Sequence, residues 1–212
     1  MRKSWLGVML SVCLLAPSAW AKTYAIDPDH TTVEFKIRHL LSFVRGMFEK
    51  VDGQFDYVPD HPEQWKVSAT IPATSINTHV DKRDEHLRSK DFFDVAQFPN
   101  LTFTGTSVTD ATATNAKLQG DLTIHGVTKP VVFDVEIHGV ADDPWGNERA
   151  AFTATGKINR FDYGLKWNKA LEAGSLVVGQ DVDLNLAFEG VRKLEAGAPA
   201  KAEPKSKPSK AK

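Results

Sequence analysis

The sequence feature that most constrains the fold is the alternation of apolar and polar residues in many short segments. Val33, Phe35 and Ile37 alternate with charged residues, and the same pattern recurs in 65–71, 118–125, 131–138, 152–158 and 182–188. A period of two places the apolar side chains on one face of a β-strand and the polar side chains on the other. Because nearly every segment has one polar face, the sequence predicts an all-β protein with an antiparallel sheet that is exposed to solvent on one face.

About eight such strands with a consistent apolar face predict an antiparallel eight-stranded barrel, because closure removes the unpaired sheet edges. Such a barrel has room inside for packed side chains or for one small ligand. The apolar phase slips between Phe48 and Val51, which predicts a bulge or tight turn near 49–50. Glycines within strand segments, such as Gly46 and Gly156, are interpreted as bends in a strongly curved sheet.

One segment departs from this pattern, because residues 80–90 are highly charged and predict a short helix. Asp81 is expected to be its N-cap, and Arg88 lies near the C-terminal end, where the helix dipole favours a cation. Only Val80 and Leu87 are apolar in its body. A helix with so narrow an apolar stripe is expected to lie on the surface as a weakly docked lid.

A dense aromatic run follows this helix, with Phe92, Phe93, Phe98 and Phe103. Side chains of this size must be buried against apolar neighbours. A polar lid beside an aromatic cluster in an all-β chain predicts the mouth of a container for an apolar ligand.

The N-terminal segment has the features of a secretory signal peptide. Arg2 and Lys3 form a positive region, residues 5–15 are apolar, and residues 19–21 read Ala-Trp-Ala, a small-x-small cleavage site. The sequence therefore predicts a cleaved signal peptide over 1–21 and export to the periplasm. The apolar run is shorter than the roughly 20 residues that span a bilayer.

The remaining chain is expected to form one domain over 22–193, followed by a disordered tail rich in Lys, Pro and Ala over 194–212. Without the signal peptide the chain has 24 Lys and Arg against 27 Asp and Glu, a net charge of −3. This balance argues against a nucleic-acid partner, which would favour a basic face. The lone cysteine, Cys13, lies in the signal segment, so no disulfide framework is expected.

Several longer motifs resemble one known family. They are AIDPDHTTVEFKIRH, GMFEKVDGQF, INTHVDKRDEHLRSKDFFDVAQFPNLTF, GDLTIHGVTKPV, INRFDYG and VGQDVDLNLAFEG, in this order along the chain. The order and content are similar to the YceI-like family and cover residues 23–190. The resemblance implies a lipocalin-like barrel with a helix near one end and an elongated apolar interior that holds a polyisoprenoid chain. It also implies a periplasmic location, as in several members of that family.

The candidate ligand-binding residues are those that fall in the inward phase of the strands. The predicted lumen residues are Phe35, Ile37, Phe48, Ile71, Leu122, Ile124, Phe133, Val135, Phe152, Leu184 and Leu186.

Four polar residues are predicted to lie at the mouth and to contact a head group: His39, Arg160, Asp84 and Arg83. His39 and Arg160 each end an inward-facing series. Arg160 has two interpretations, a bidentate contact to a phosphate or oxygenated head group, or an ion pair with Asp84 that fastens the lid. No catalytic residue and no metal site is predicted, since the histidines lack the spacing of a zinc signature.

These features predict an exported protein that binds or carries a long isoprenoid lipid or quinone-like molecule, with no other cofactor and no covalent chemistry. Transient membrane contact is compatible with that role, and the sequence leaves monomer and homodimer open. Two alternatives from other classes also remain open at this point. One is a small exported hydrolase that acts on isoprenoid head groups through Asp84 or His86. The other is a stress-protective barrel with a packed interior and no ligand.

Overall fold

The computed structural model describes residues 21–168 and 177–192. The predicted signal peptide, apart from Ala21, and the predicted tail over 194–212 lie outside the described residues. The strands are β1 (Lys22–Ile26), β2 (Thr32–His39), β3 (Ser42–Phe48), β4 (Asp52–Tyr57), β5 (Lys66–Pro72), β6 (Ile76–Asn77), β7 (Asn100–Thr109), β8 (Asn115–Ile124), β9 (Val127–Asp142), β10 (Glu148–Asn159) and β11 (Val178–Arg192), and the helix α1 spans Asp81–Arg88. None of the helices in the described ranges has the length and apolarity needed to span a bilayer.

The strands form one antiparallel sheet that closes on itself. Its order is β1-β4-β5-β7-β8-β9-β10-β11-β2-β3-β6, and β1 also pairs with β11. The pairs β1–β2, β3–β4 and β5–β6 each act as one long interrupted strand, because their members pair in succession with the same neighbour. Counted this way, eight strands surround the interior, which confirms the predicted eight-stranded barrel.

The interruption between β3 and β4 accounts for the slip in the apolar pattern. Phe48 is the last residue of β3 and pairs with Val33, while β4 begins three residues after Glu49 and pairs with β1. The backbone N–H of Glu49 donates to the carbonyl of Ser75 at 3.0 Å and ends the pairing of β3 with β6 before the chain enters β4. The side-chain phase can therefore change at this point without loss of the barrel.

The strand glycines provide room for phenylalanine rings in addition to any bend. A Cβ on Gly46 would lie 2.5 Å from Cζ of Phe35, and one on Gly156 would lie 2.7 Å from Cδ1 of Phe133. These distances are too short for a side chain. The interpretation of the glycines as bends alone was therefore incomplete, since a flat ring on a neighbouring strand occupies the space of the missing Cβ.

The two ends of the barrel differ. We call the first the lid end, where α1, the β2–β3 hairpin, the β8–β9 turn and residues 160–168 lie. The β8–β9 turn has two residues, His125 and Gly126, with φ of 51° and 74°. Positive φ at both positions is typical of the type I′ turn that suits a two-residue hairpin. The ring of Phe98 packs on His125 at 4.4 Å between centroids, which fixes the segment after α1 at this end.

At the opposite end, which we call the far end, aromatic rings form the floor of the interior. Tyr57 packs edge-on against Trp65 at 4.8 Å and against Phe152 at 5.0 Å. Phe55 contacts Phe152 edge-on at 5.4 Å and stacks on Tyr24 at 5.3 Å. Contacts of this geometry are worth about 0.5–1.5 kcal/mol each beyond simple burial, so the floor is expected to be rigid.

Candidate functional site

The barrel encloses an elongated apolar cavity of about 410 Å³. This volume is within the range of roughly 300–1,000 Å³ that is typical of ligand sites. The cavity reaches from Tyr57 and Trp65 at the far end to His39 and Trp167 at the lid end. It therefore follows the long axis of the barrel and suits a chain better than a compact ligand.

All of the predicted lumen residues line this cavity, namely Phe35, Ile37, Phe48, Ile71, Leu122, Ile124, Phe133, Val135, Phe152, Leu184 and Leu186. Several of them, such as Phe35, Leu184 and Leu186, are only partly buried although they face inward. A packed interior would cover them completely, because cores are filled to the density of organic crystals. The incomplete burial is the signature of a hollow barrel.

Other lining residues were missed by the sequence analysis. Val67 and Leu118 belong to the same alternating phases as the predicted residues, so the period-two pattern was sufficient to find them. Leu165 and Trp167 also line the cavity, but they follow β10 in a segment without regular structure. No periodic signal exists there, and the sequence alone does not indicate their position.

The prediction of Asp81 as the N-cap of the lid helix was wrong by one residue, and the helix ends at Arg88, two residues before the predicted end at 90. Its N-cap is Val80, which makes no side-chain capping bond, and Asp81 is the first helical residue. Val80 is 46% exposed and does not anchor the lid, whereas Leu87 lines the cavity. Apolar contact by Val80 and Leu87 therefore does not explain how the helix is held.

Polar contacts with the segment before the helix hold the lid in place. The carboxylate of Asp84 is buried and accepts hydrogen bonds from the backbone N–H and the hydroxyl of Thr78. Nε of Arg83 donates to the same hydroxyl at 2.7 Å, and Nη2 donates to the Thr78 carbonyl at 2.7 Å. Arg88 donates to the carbonyls of Thr74 and Ile76 at 2.9 and 2.6 Å. The expectation of weak docking rested on the two apolar residues alone and did not include these hydrogen bonds, of which the buried pair on Asp84 is worth about 1.5–3 kcal/mol per bond.

Asp84 is also a correction to the predicted mouth. It does not line the cavity, and its hydrogen bonds are satisfied by Thr78 within the lid. Arg83 does line the cavity, so the two neighbours point to different sides of α1. Residues adjacent on a helix do not share a face, which explains the difference.

Arg160 lies at the lid end of the cavity as predicted, and of the two interpretations the ion pair with Asp84 is wrong, while contact with a head group stays a prediction. Its side chain is buried, and its N–H groups donate to the backbone carbonyls of Leu165, Trp167, Val178 and Gly179. Burial lowers the pKa of the guanidinium. Arg160 therefore clamps the segment after β10 to the start of β11, and Asp84 is not its partner.

Two guanidinium groups, those of Arg83 and Arg160, line the lid end of the cavity. Within the described ranges, neither Arg83 nor Arg160 forms a salt bridge with a carboxylate. The imidazoles of His39 and His86 also line the cavity near this end. Asp56 is the one carboxylate among the described lining residues, and it lies on β4 near the far end. The cavity thus has an apolar body with cationic groups at one end.

An aromatic contact connects the lid to the segment after β10. The ring of His86 packs edge-on against Trp167 at 4.9 Å and against Phe92 at 5.1 Å, and Phe92 contacts Trp167 at 5.2 Å. Nε2 of His86 also pairs with Oδ2 of Asp91 at 2.8 Å. Because these three rings line the cavity, their separation would open it at the lid end.

One group of side chains at the far end has the composition of a metal site. Oxygen and nitrogen atoms of Asp27, His30 and Glu189 lie close enough together to hold a cation. The guanidinium of Arg149 already bonds to Asp27 at 2.8 Å, to Asp143 at 3.0 Å and to Glu189. The positive charge that these carboxylates require is thus supplied by Arg149.

Comparison with known proteins places this architecture in a family. The family described as the YceI-like domain matches residues 24–190. The protein YceI of Escherichia coli is 41% identical over 196 residues, which cover 91% of this chain and 99% of the relative.

Solved structures have the same fold. The YCEI protein of Campylobacter jejuni superimposes with a TM-score of 0.64 at 34% identity, over 74% of this chain and 90% of that one. A protein of Saccharophagus degradans, described as a polyisoprenoid binding domain implicated in plant cell wall breakdown, has a TM-score of 0.61 at 17% identity, over 80% of this chain and 98% of that one. The family match, the identity to YceI and the shared fold together show that the chain belongs to the YceI-like family.

Proposed function

We propose that this protein is an exported carrier that holds a long isoprenoid lipid or a quinone-like molecule inside its barrel. The observation that supports this proposal is the shape and chemistry of the cavity. It is elongated, its body is formed by apolar and aromatic side chains, and cationic groups lie at one end only. A molecule with a long apolar chain and a polar head has the same distribution of properties.

Desolvation of the chain provides most of the binding free energy in this proposal. Burial of one methylene is worth about 0.8 kcal/mol, so a five-carbon isoprene unit contributes at most about 4 kcal/mol. The ordering of ligand and side chains reduces this value, and about 1.5 kcal/mol per unit is a conservative figure at the efficiency of drug-sized ligands. Affinity should therefore rise steeply with chain length until the cavity is full.

The head group is expected at the lid end. Arg83 uses its Nε and Nη2 atoms within the lid, and the imidazole of His39 lines the cavity at the end of β2. We propose that these two side chains contact oxygen atoms of the head group. Arg160, whose N–H groups are bonded to backbone carbonyls, would stabilise the head group by its positive charge without a direct hydrogen bond. Trp65 and Tyr57 would then contact the end of the chain at the far end.

The family assignment is consistent with this role. A protein of the same fold, from Saccharophagus degradans, is described as a polyisoprenoid binding domain. Export to the periplasm is proposed from the positive, apolar and small-residue regions within residues 1–21.

The rival functions fit the cavity less well. A packed barrel without ligand is at odds with an open volume of about 410 Å³. A hydrolase would require Asp84 or His86 to act on a head group. The Asp84 carboxylate is bonded to Thr78 and does not line the cavity, and Nε2 of His86, which does line it, is already paired with Asp91 at 2.8 Å. We therefore propose binding without covalent chemistry.

The test is organic extraction of the purified protein followed by mass spectrometry. We expect about one equivalent of an isoprenoid lipid per chain, and no comparable signal after Phe133→Glu, which puts a carboxylate into the apolar body. Titration of the emptied protein with isoprenoid alcohols of increasing length should give increasing affinity. Failure to extract an isoprenoid, together with equal affinities for short and long alcohols, would reject the proposal.

A further inference from the structure

The β2–β3 hairpin exposes three large apolar side chains at the lid end. Leu40 is 42% exposed, Leu41 is 95% exposed and Phe43 is 54% exposed. The other exposed large apolar residues of the described ranges are separated along the chain, with Val80 before α1, Val132 and Val140 on β9, and Trp145 in the β9–β10 turn. Single exposed apolar residues need no explanation, but a cluster on one projecting hairpin indicates a contact surface.

The two residues of the turn are not those that favour its backbone conformation. Leu40 and Leu41 are its two central residues, and Leu40 adopts a φ of 52°. Two-residue hairpin turns favour Gly, Asn and Asp at such positions, and a bulky residue at positive φ is unusual. The conformational preference of the turn therefore does not account for the leucine at position 40.

Basic residues flank the apolar tip along both strands of the hairpin. The segment 36–46 contains Lys36, Arg38 and Arg45 and no acidic residue. Arg38 is exposed and donates from Nε to the Leu40 carbonyl at 3.1 Å. Lys36 lies 5.2 Å from the centroid of the Phe43 ring and also pairs with a carboxylate on β11. An apolar tip with a basic collar is the pattern of a surface that enters the interface of an anionic bilayer.

The same hairpin forms part of the cavity wall. Its inward residues Ile37, His39 and Val44 line the cavity, as does Val178, which pairs with His39. The N–H of Leu40 donates to the carbonyl of the residue before Val178 at 2.9 Å. The exposed tip is therefore continuous with the end of the cavity where the cationic groups lie.

We propose that Leu40, Leu41 and Phe43 dock this protein on the surface of a bilayer that contains anionic lipids. Docking brings the lid end to the bilayer, so an apolar molecule passes between membrane and cavity without exposure to water. The nature of that cargo rests on the proposed function, whereas the docking itself does not.

The test is flotation of the purified, exported chain with vesicles of phosphatidylcholine and phosphatidylglycerol. Leu41→Glu should lower the partition coefficient by about tenfold or more. In the docked state it replaces a leucine inserted into the bilayer interface by a charged side chain. Trp145→Glu is the matched control, since Trp145 is 80% exposed in the turn between β9 and β10 at the far end, and its change should leave flotation unaltered. Any binding by the terminal segments is common to all variants.

Two further experiments test whether anionic lipid is recognised and whether the cavity remains intact. The double variant Arg38→Gln, Arg45→Gln should abolish the preference for anionic over pure phosphatidylcholine vesicles, and added salt should do the same for the parent protein. Binding of farnesol, followed by fluorescence of Trp65 and Trp167 in the cavity, should be unchanged in Leu41→Glu.

Three outcomes would overturn the proposal. These are equal flotation of Leu41→Glu and the parent protein, equal loss in Trp145→Glu, and a dimer that Leu41→Glu dissociates in the absence of any vesicle binding. The last result would assign the hairpin to a second copy of the chain. If no isoprenoid is found in the cavity but Leu41→Glu still loses flotation, the proposed function fails and the docking proposal stands.

Discussion

Strand β10 offers a sharp test of whether the interior is hollow, because two of its small residues face different surroundings. Ala154 lines the cavity and is 6% exposed, between the neighbouring strand residues Leu186 and Val135. Gly156, two residues further on, does not line the cavity, and the ring of Phe133 occupies the position of its missing side chain. Substitution by leucine should therefore weaken ligand binding at position 154 and destabilise the fold at position 156.

For Ala154→Leu we expect weaker ligand binding and nearly unchanged stability. The new side chain adds three carbons to the cavity and displaces an equal length of ligand. At about 0.8 kcal/mol per methylene the loss is about 2.4 kcal/mol, or about 50-fold in affinity. The protein itself should tolerate the leucine because open space receives it.

For Gly156→Leu we expect unfolding at lower temperature. A Cβ at this position would lie 2.7 and 2.9 Å from two atoms of the Phe133 ring, so the ring must move. Overpacking of this kind costs about 1–3 kcal/mol, and each kcal/mol lowers Tm by about 2–4 °C in a chain of this size.

The measurements are thermal unfolding and titration with geranylgeraniol. Thr155→Leu is the control, because Thr155 lies between the two sites and faces solvent. It should change neither quantity by more than about 0.5 kcal/mol. If Ala154→Leu melts as early as Gly156→Leu and binds the alcohol like the parent protein, the cavity is not the ligand site and the reasoning fails.

Three further predictions concern the lid, the far end and a buried hydroxyl. Arg88→Met removes two hydrogen bonds to the backbone before the lid helix, so ligand dissociation in stopped-flow fluorescence should become about tenfold faster; an unchanged rate would mean that the ligand leaves by another route. At the far end, hydrogen bonding to Arg149 lowers the pKa of Asp27. Burial alone would raise the pKa of Asp143, but its hydrogen bonds to Asn147, Arg149 and Trp145 lower that pKa to about 2. Carboxylates with lowered pKa values stabilise the fold above their unfolded-state pKa, so the free energy of unfolding in urea should fall as the pH is lowered from about 4 to about 2. Arg149→Gln should flatten this profile, and an equally steep profile in the variant would contradict the assignment. Tyr163 is 2% exposed, its hydroxyl has no hydrogen-bond partner among the described residues, and burial raises its pKa to about 12. Tyr163→Phe should therefore raise the free energy of unfolding by about 1 kcal/mol, whereas a lower Tm would indicate a partner for the hydroxyl.

The fold and the cavity wall were predictable because both depend on a period of two. Once a sheet has one apolar face, the inward side of each strand follows from the residue number alone. This is why Phe35, Leu122 and Leu186, taken from three distant segments, line the same cavity. Closure into a barrel followed from the number of strands and from the need to remove sheet edges.

The contacts that hold the lid were not predictable, because most of their partners are backbone atoms. Arg88 and Arg83 bond to carbonyls of the segment just before the helix, and a sequence pattern does not show where a carbonyl points. Charged residues on a short helix with few apolar positions were interpreted as a solvated face. Asp84, which was predicted at the mouth of the cavity, is buried in the structure and bonded to Thr78.

The position of Arg160 connects the architecture of the lid end to its chemistry. A guanidinium retains its charge in proteins, and burial of a charge is costly unless polar groups surround it. Four backbone carbonyls supply those groups here, and none of them carries a formal negative charge. The hydrogen-bonding groups of Arg160 are therefore satisfied by carbonyls, but its positive charge remains beside the cavity. Arg83 adds a second positive charge there. A carboxylate partner such as Asp84 would have cancelled this charge. Because none of the described carboxylates pairs with Arg160, we expect an anionic or strongly polar head group to gain stabilisation at the lid end even without a direct hydrogen bond to this residue, and the far end, where Asp56 lines the cavity, has no comparable attraction for it.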